Sequence, residues 1–189
     1  ITTAGVLTRT GTAHDIDVLV HATGFKVFDP GNFPKYPVTG RGGRDLEGFW
    51  TENRYQAYEG VSVPGFPNYF TMFGPYGYNG SSYFNLVETQ ARHIVRALSH
   101  ADRNGATLIE VTEDANARYF AEMLSRRDNQ VFWQGSCALS NSYYFDPHGD
   151  VPLRPSPTLE TMWRARRFPL SDYRWERAPV RAALQAVAV

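Results

Sequence analysis

The run Asp17-Val18-Leu19-Val20-His21-Ala22-Thr23-Gly24-Phe25 constrains the fold more than any other stretch, because its apolar residues stop abruptly in a small residue, a hydroxyl and a glycine. A near-continuous apolar run of this length reads as a strand covered on both faces. A glycine at its end lets main chain approach a neighbouring group with no Cβ in the way. Upstream, residues 5–9 and 13–22 flank the turn-like Thr10-Gly11-Thr12, so the chain is expected to open with a β-hairpin whose second strand enters a buried sheet. With the helices that follow, this makes the fold class α/β.

From residue 26 to 48 the sequence is rich in Pro, Gly and charge, as in a long surface connection, with a short helix expected around residues 46–50. Residues 69–73 read as a further short buried strand. The stretch Gly74-Pro75-Tyr76-Gly77-Tyr78-Asn79-Gly80-Ser81 then leads into a long helix over residues 82–104. Phe84, Val87, Ala91, Ile94, Val95 and Leu98 recur there at helical spacing and form the face expected to be buried, with Ser81 or Ser82 able to cap the start and Gly105 the end. Residues 107–111 are strand-like, and Thr112 can cap a second helix over 113–127. Residues 131–145 read as extended, and Ser156-Pro157 as the N-cap and first position of a helix to about Arg167. Residues 1–175 form the expected body and 176–189 a C-terminal tail.

The 189 residues, 42% of them hydrophobic, suffice for one domain with a real core. A formal net charge of zero gives no argument for nucleic acid or an anionic membrane. No apolar segment approaches the ~20 residues needed to cross a bilayer, and no basic stretch precedes an apolar core at the start, so a soluble, cytoplasmic protein is expected. Cys137, the sole cysteine, excludes an internal disulfide and a Cys-rich zinc site. A first residue of Ile1 reads as a piece of something longer. The 12 Phe, 11 Tyr and 4 Trp lie largely in loop-like stretches, where aromatics either pack a core or line a planar-ligand pocket or domain interface.

The glycine-rich approach to the long helix carries the clearest chemistry. Unpaired N–H groups of a helix's first turn and its positive dipole end favour anions and electron-rich carbonyls in front of them. The glycines alternatively do no more than permit a tight turn. Other constellations are weaker. His14, Asp15, Asp17 and His21 are metal-ligand types, yet strand neighbours alternate faces and do not converge, so no metal is expected. Asp146-Pro147-His148-Gly149-Asp150 has turn chemistry. Ser81 and His93 lack the nucleophile elbow of a hydrolase. Gly40-Arg41-Gly42-Gly43-Arg44 follows a proline loop and bends a surface connection, while Arg164, Arg166 and Arg167 beside Trp163 and Tyr173 form a solvated face or an interdomain contact.

Ala22-Thr23-Gly24-Phe25, read with Pro64-Gly65-Phe66-Pro67-Asn68-Tyr69-Phe70-Thr71-Met72-Phe73-Gly74-Pro75, resembles the C-terminal part of class B flavoprotein monooxygenases, the Baeyer-Villiger and flavin-containing monooxygenase group. The motifs keep the family's order over residues 6–98, and residues 135–144 and 164–173 look like the ends of some members. The resemblance implies the C-terminal portion of a flavoprotein with two dinucleotide-binding domains, for FAD and NADP. It also implies the reaction: NADPH reduces FAD, the reduced flavin takes up oxygen as a C4a-peroxide, and one oxygen atom passes to a ketone or a soft heteroatom of a small organic substrate. By the same match Gly74, Pro75, Asn79, Gly80, Ser81 and Ser82 are candidate flavin contacts, and Thr23 and Gly24 serve cofactor packing where the FAD and NADPH domains meet. Tyr76, Tyr78 and Tyr83 are candidate pocket lining. The two Gly-x-Gly-x-x-Gly fingerprints and the upstream catalytic arginine of the family are absent, which leaves the catalytic residues unassigned. The chain alone is therefore expected to be incomplete and inactive, with a missing N-terminal FAD/NADP-binding part as its partner. The rival reading is a non-catalytic interaction module that forms a homo-oligomer through an aromatic face; an RNA-binding module ranks last because the charge is neutral.

Overall fold

Turn chemistry and helix caps place the elements where local sequence puts them. The computed structural model describes residues 1–32, 34–135 and 142–178. Its elements run β1 (Gly5–Leu7), β2 (Ala13–Asp15), α1 (Leu46–Asn53), α2 (Tyr83–Arg103), β3 (Leu108–Val111), α3 (Glu113–Ser125), α4 (Thr158–Arg167) and β4 (Tyr173–Glu176). The strands make two antiparallel pairs, β1 with β2 through Val6↔His14 and β3 with β4 through Ile109↔Trp175. The opening hairpin is thus present, but short.

The apolar run after it departs from expectation. Strand structure stops at Asp15, and Val18, Val20 and Phe25 are 76%, 79% and 78% exposed. A strand buried on both faces needs neighbours to pair with and a layer on each side, and no strand among the described residues pairs with this run. Residues 69–73 likewise form no ladder. Their backbone bonds go elsewhere: Thr71 N–H donates to Val61 O (2.8 Å) and Phe73 N–H to the Gln90 side chain (3.0 Å).

Two apolar clusters hold the chain together. In one, Asp45 caps α1 by accepting from Gly48 N–H (2.8 Å), and the helix buries Leu46 and Trp50 against Tyr55, Ala57, Val63 and Phe66. In the other, β3, α3 and β4 bury Ile109, Val111, Tyr119, Met123 and Tyr173 against Ala97 and Ala101 of α2. Thr112 caps α3 at Ala115 N–H (3.2 Å), as its sequence position predicts. The Gly40–Arg44 bend is fastened to this second body, because Arg41 pairs with Glu110 of β3 and donates to Glu176 of β4 (2.9 Å).

α2 has the expected length but the opposite orientation. It buries Leu86, Thr89, Gln90, His93, Ala97 and Ala101. The apolar stripe expected inside turns outward: Phe84, Val95 and Leu98 are exposed, and Val87, Ala91 and Ile94 half-buried. Specific bonds decide this. Gln90 donates to Gly60 O (3.2 Å) and accepts from Phe73 N–H, and His93 Nε2 is hydrogen-bonded to the Tyr173 hydroxyl (2.7 Å).

Farther on, residues 131–133 form a short 3-10 turn where an extended segment was expected, and residues 127–129 another just past α3. α4 begins one residue later than predicted, with Pro157 at the N-cap position. Cys137 and the rest of 136–141 lie outside the described residues, as do 179–189 of the tail. Among the described residues no helix is long and apolar enough to cross a membrane.

Candidate functional site

The turn from Gly74 to Ser82 is held from behind by main chain packed on main chain. A Cβ at Gly74 would lie 2.5 Å from Gly60 O, and one at Gly60, itself at φ +70°, 2.0 Å from Gly77 Cα. Tyr76 N–H donates to Pro152 O (2.8 Å), and the Tyr119 hydroxyl donates to Tyr76 O (2.6 Å). Gly74, Pro75 and Tyr76 are consequently buried in the body of the protein, so Tyr76 lines no surface cleft. Its ring packs edge-on against Phe120 at 5.6 Å.

Past Tyr76 the turn emerges. Asn79 is occupied: its side chain donates to Ser156 O (3.1 Å) and Thr158 Oγ1 (3.3 Å) and accepts from Ser81 N–H (3.2 Å), tying the turn to the start of α4. Gly80 stands at φ +76° with open space where a Cβ would be. Ser82, at the N-cap of α2, makes no capping bond, and the first turn holds no acidic residue. Hence no carboxylate of the first turn and no capping hydroxyl offsets the positive end of this 21-residue helix. Tyr83 leans outward and stacks on Phe73 at 4.8 Å.

Two clefts open around these segments. One, of about 660 Å³, is lined by Tyr78, Asn79 and Gly80 together with Arg126, Gln130, Phe132, Tyr144, Arg154 and Ser156. Among the described residues Ser156 Oγ, Gln130 Oε1 and Arg154 Nε are buried there with no hydrogen-bond partner. The other, of about 720 Å³, is lined by Ala22, Thr23, Gly24 and Phe25 on one side and Tyr143, Phe145 and Asp146 on the other. Gly24 stands at φ +76°, open on its Cβ side. Adjacent Tyr143 and Tyr144, ring centroids 4.2 Å apart, face one cleft each, so that pair separates the two halves of the expected cofactor site.

Behind the first cleft lies an ionic knot that the sequence did not disclose. Arg154 is buried and paired with Glu59, which also accepts from Arg164 Nε (2.8 Å). Burial pushes the Glu59 carboxyl up, but Arg154 and Arg164 outweigh it and hold it below its ordinary value. Glu59, Gln90 and Arg154 carry no local motif; only their convergence marks them. Burial also raises the Asp146 carboxyl at the second cleft, although it accepts from Asp150 N–H (2.8 Å) and His148 N–H (2.9 Å). His93 is buried and lies about 16 Å along α2 from Ser82, so no Ser81–His93 catalytic pair exists.

No profile of a known protein family matches the chain. Individual proteins do. It is 30% identical over 187 residues to a Baeyer-Villiger monooxygenase of Pseudomonas aeruginosa, covering 96% of this chain and 34% of that protein. It is 35% identical over 124 residues to a phenazine N-monooxygenase of Lysobacter antibioticus, covering 64% and 22%. Among solved structures it resembles an oxidized steroid monooxygenase bound to NADP, with TM-score 0.71 and 26% identity over 93% of this chain and 33% of that one. The chain matches part of a class B flavoprotein monooxygenase. A cyclohexanone monooxygenase from Rhodococcus sp. Phi1 bound to NADP+ agrees, with TM-score 0.68 and 25% identity over 94% and 34%. The chain thus spans about a third of the length of the relatives it matches, as a mixed helix and strand portion of that monooxygenase fold.

Proposed function

We propose that this chain supplies the C-terminal side of the cofactor and substrate site of a FAD- and NADPH-dependent monooxygenase. The observation that carries the reading is the start of α2, an uncapped positive helix end beside Gly80 within a chain that matches Baeyer-Villiger monooxygenases along nearly its whole length. The residues present fit a flavin: first-turn N–H groups of α2 and the main chain at 80–82 suit an electron-rich carbonyl edge. Gly24 offers main chain with no Cβ toward the second cleft, and Thr23 stands beside it on the same wall. Gly74 and Pro75 act from within, by fixing the turn, and Asn79 by tying it to α4. Bound flavin and NADPH supply the redox and oxygen-activating chemistry.

The chain's own part is to position and to exclude water. Tyr78, Phe132 and Tyr144 give the first cleft flat apolar walls, while Ser156 Oγ and Arg154 Nε are hydrogen-bond donors without a partner among the described residues, suited to the polar atom of a small organic substrate. A ketone oxygen and a heteroatom lone pair can each accept from these two donors. The test is a chimera in which this chain replaces the matching third of the Pseudomonas aeruginosa relative. A folded chimera that retains FAD and consumes NADPH and oxygen with a ketone is expected. A folded chimera that binds no FAD overturns the reading. Gly80→Val should lower flavin occupancy, because a β-branched side chain at positive φ is strained and fills the open face.

A further inference from the structure

We propose that the cleft between α3 and α4 is a second small-molecule site, which takes a planar aromatic ligand carrying a single carboxylate. The cleft has a volume of about 480 Å³, within the range of sites that enclose small organic ligands, and shares no lining residue with either cleft described above. Two helix faces make it. Ala115, Arg118, Tyr119 and Glu122 recur at three- and four-residue spacing on α3, and Trp163 and Arg167 stand four apart toward the end of α4. Its polar floor is already committed. Glu59 accepts from Arg164 Nε (2.8 Å) and is paired with Arg154, and Glu122 accepts from Arg164 (2.9 Å). Asp172 accepts from Arg118 (2.8 Å) and from the Tyr58 hydroxyl (2.5 Å). A cation entering the cleft therefore meets no unpaired carboxylate. The buried rings are equally engaged: Tyr119 lies against the Arg154 and Arg164 guanidinium groups at 5.4 and 5.5 Å, and Phe168 is stacked on His93 at 3.9 Å.

Two lining residues are left over, and they select the ligand. Trp163 is 60% exposed and makes no ring or cation–π contact among the described residues. The Arg167 guanidinium is exposed and has no hydrogen bond or ion pair among them. Of the three neighbouring arginines, Arg164 turns into the ionic knot and Arg166 lines a groove beside α2, so Arg167 alone brings uncompensated charge to this cleft. Four residues apart on one helix face, Trp163 and Arg167 have their Cβ atoms about 6 Å from each other. That sets a flat apolar surface beside a positive charge. The indole suits an aromatic ring, and the guanidinium fork matches the two oxygens of a carboxylate. One spare cation balances one negative charge, which favours a monocarboxylate over a phosphate or a nucleotide, whose several charges call for several cations.

The test titrates the chain with cinnamate, a planar aromatic monocarboxylate, and follows the indole N–H signals by NMR, with the Trp163 signal assigned from its loss in Trp163→Phe. A saturable shift of that signal at sub-millimolar ligand is expected. Arg167→Gln should weaken binding about tenfold, the loss of one charge-assisted hydrogen bond. Because Arg167 is exposed and unpaired, the variant should keep the parent's urea midpoint. Cinnamamide, which keeps the ring and the length but carries no charge, should bind the parent about tenfold more weakly too, and this comparison decides the matter if the variant does not fold. Absence of a saturable Trp163 shift, equal binding of the amide, or unchanged affinity in a folded Arg167→Gln overturns the proposal. So does a shift of the Trp133 signal alone, since the ligand would then sit beside Phe132 in the first cleft.

Discussion

At the scale of single residues, the buried polar groups do more than the apolar ones to decide how the turn is held. Glu59 answers two arginines, one of them as buried as itself. Glu59→Gln leaves the Arg154 guanidinium without its counter-charge, and a loss of about 3–5 kcal/mol in urea unfolding is expected. His93 gives a pH signature. Burial pushes its pKa down to about 3 from 6.5, with Glu59 opposing and Arg154 and Arg96 adding to the shift. The folded value lies below the unfolded one, so the stability from this group is full above pH 6.5 and drains as pH falls toward 3. The slope is about 1.4 kcal/mol per pH unit. Between pH 6.5 and 5.5, above the unfolded-state titration of Glu59, the urea midpoint should therefore fall in the parent chain. His93→Gln can keep a bond to Tyr173 without titrating and should flatten that slope; an unchanged slope would refute the assignment.

At the scale of elements, caps and close approaches set positions to within a residue. Asp45→Ala removes the cap of α1 and should cost about 1 kcal/mol in thermal or urea unfolding. Gly60→Ala is a harsher test. Its Cβ would lie 2.0 Å from Gly77 Cα, backbone against backbone with no flexible side chain to yield, so a loss of about 3 kcal/mol or more is expected. In the chimera the same change should release flavin, because the turn in front of α2 would shift. α2 shows how an element can be placed correctly and oriented wrongly from sequence. Its end follows from Gly105, which stands at φ +64°, while Ser82 at its start makes no capping bond. Its inward face was chosen by one hydrogen bond that Gln90 donates, one that it accepts and one between His93 and Tyr173, none of which leaves a trace in hydrophobic periodicity.

At the scale of the whole molecule, the two ends of the described chain are held unequally. Beyond its own pairing, the β1–β2 hairpin is joined to the body through residues 16–28, chiefly by the Phe25–Tyr143 and Phe28–Tyr55 ring contacts. β4, by contrast, is laddered to β3 over four residue pairs. Limited trypsin treatment should therefore cut after Arg9 and Lys26 well before any site in the body, read by mass spectrometry.

What the sequence by itself determined is local. The caps Asp45 and Thr112, the glycine that ends α2, the hairpin turn and the ordered motifs around Thr23-Gly24 and Gly74-Pro75 act through a few bonds between chain neighbours, and their resemblance to class B monooxygenases is carried by the same short segments. Only the tertiary structure decided which side of each segment faces in. It turned α2's apolar stripe and the run at 18–25 outward, spent Gly74 on contact with Gly60, and drew Glu59, Arg154 and Ser156 together behind the cleft. The physical reason is that hydrophobic burial is non-directional. Periodicity tells that a face must be covered, and only the set of partners actually present tells by what.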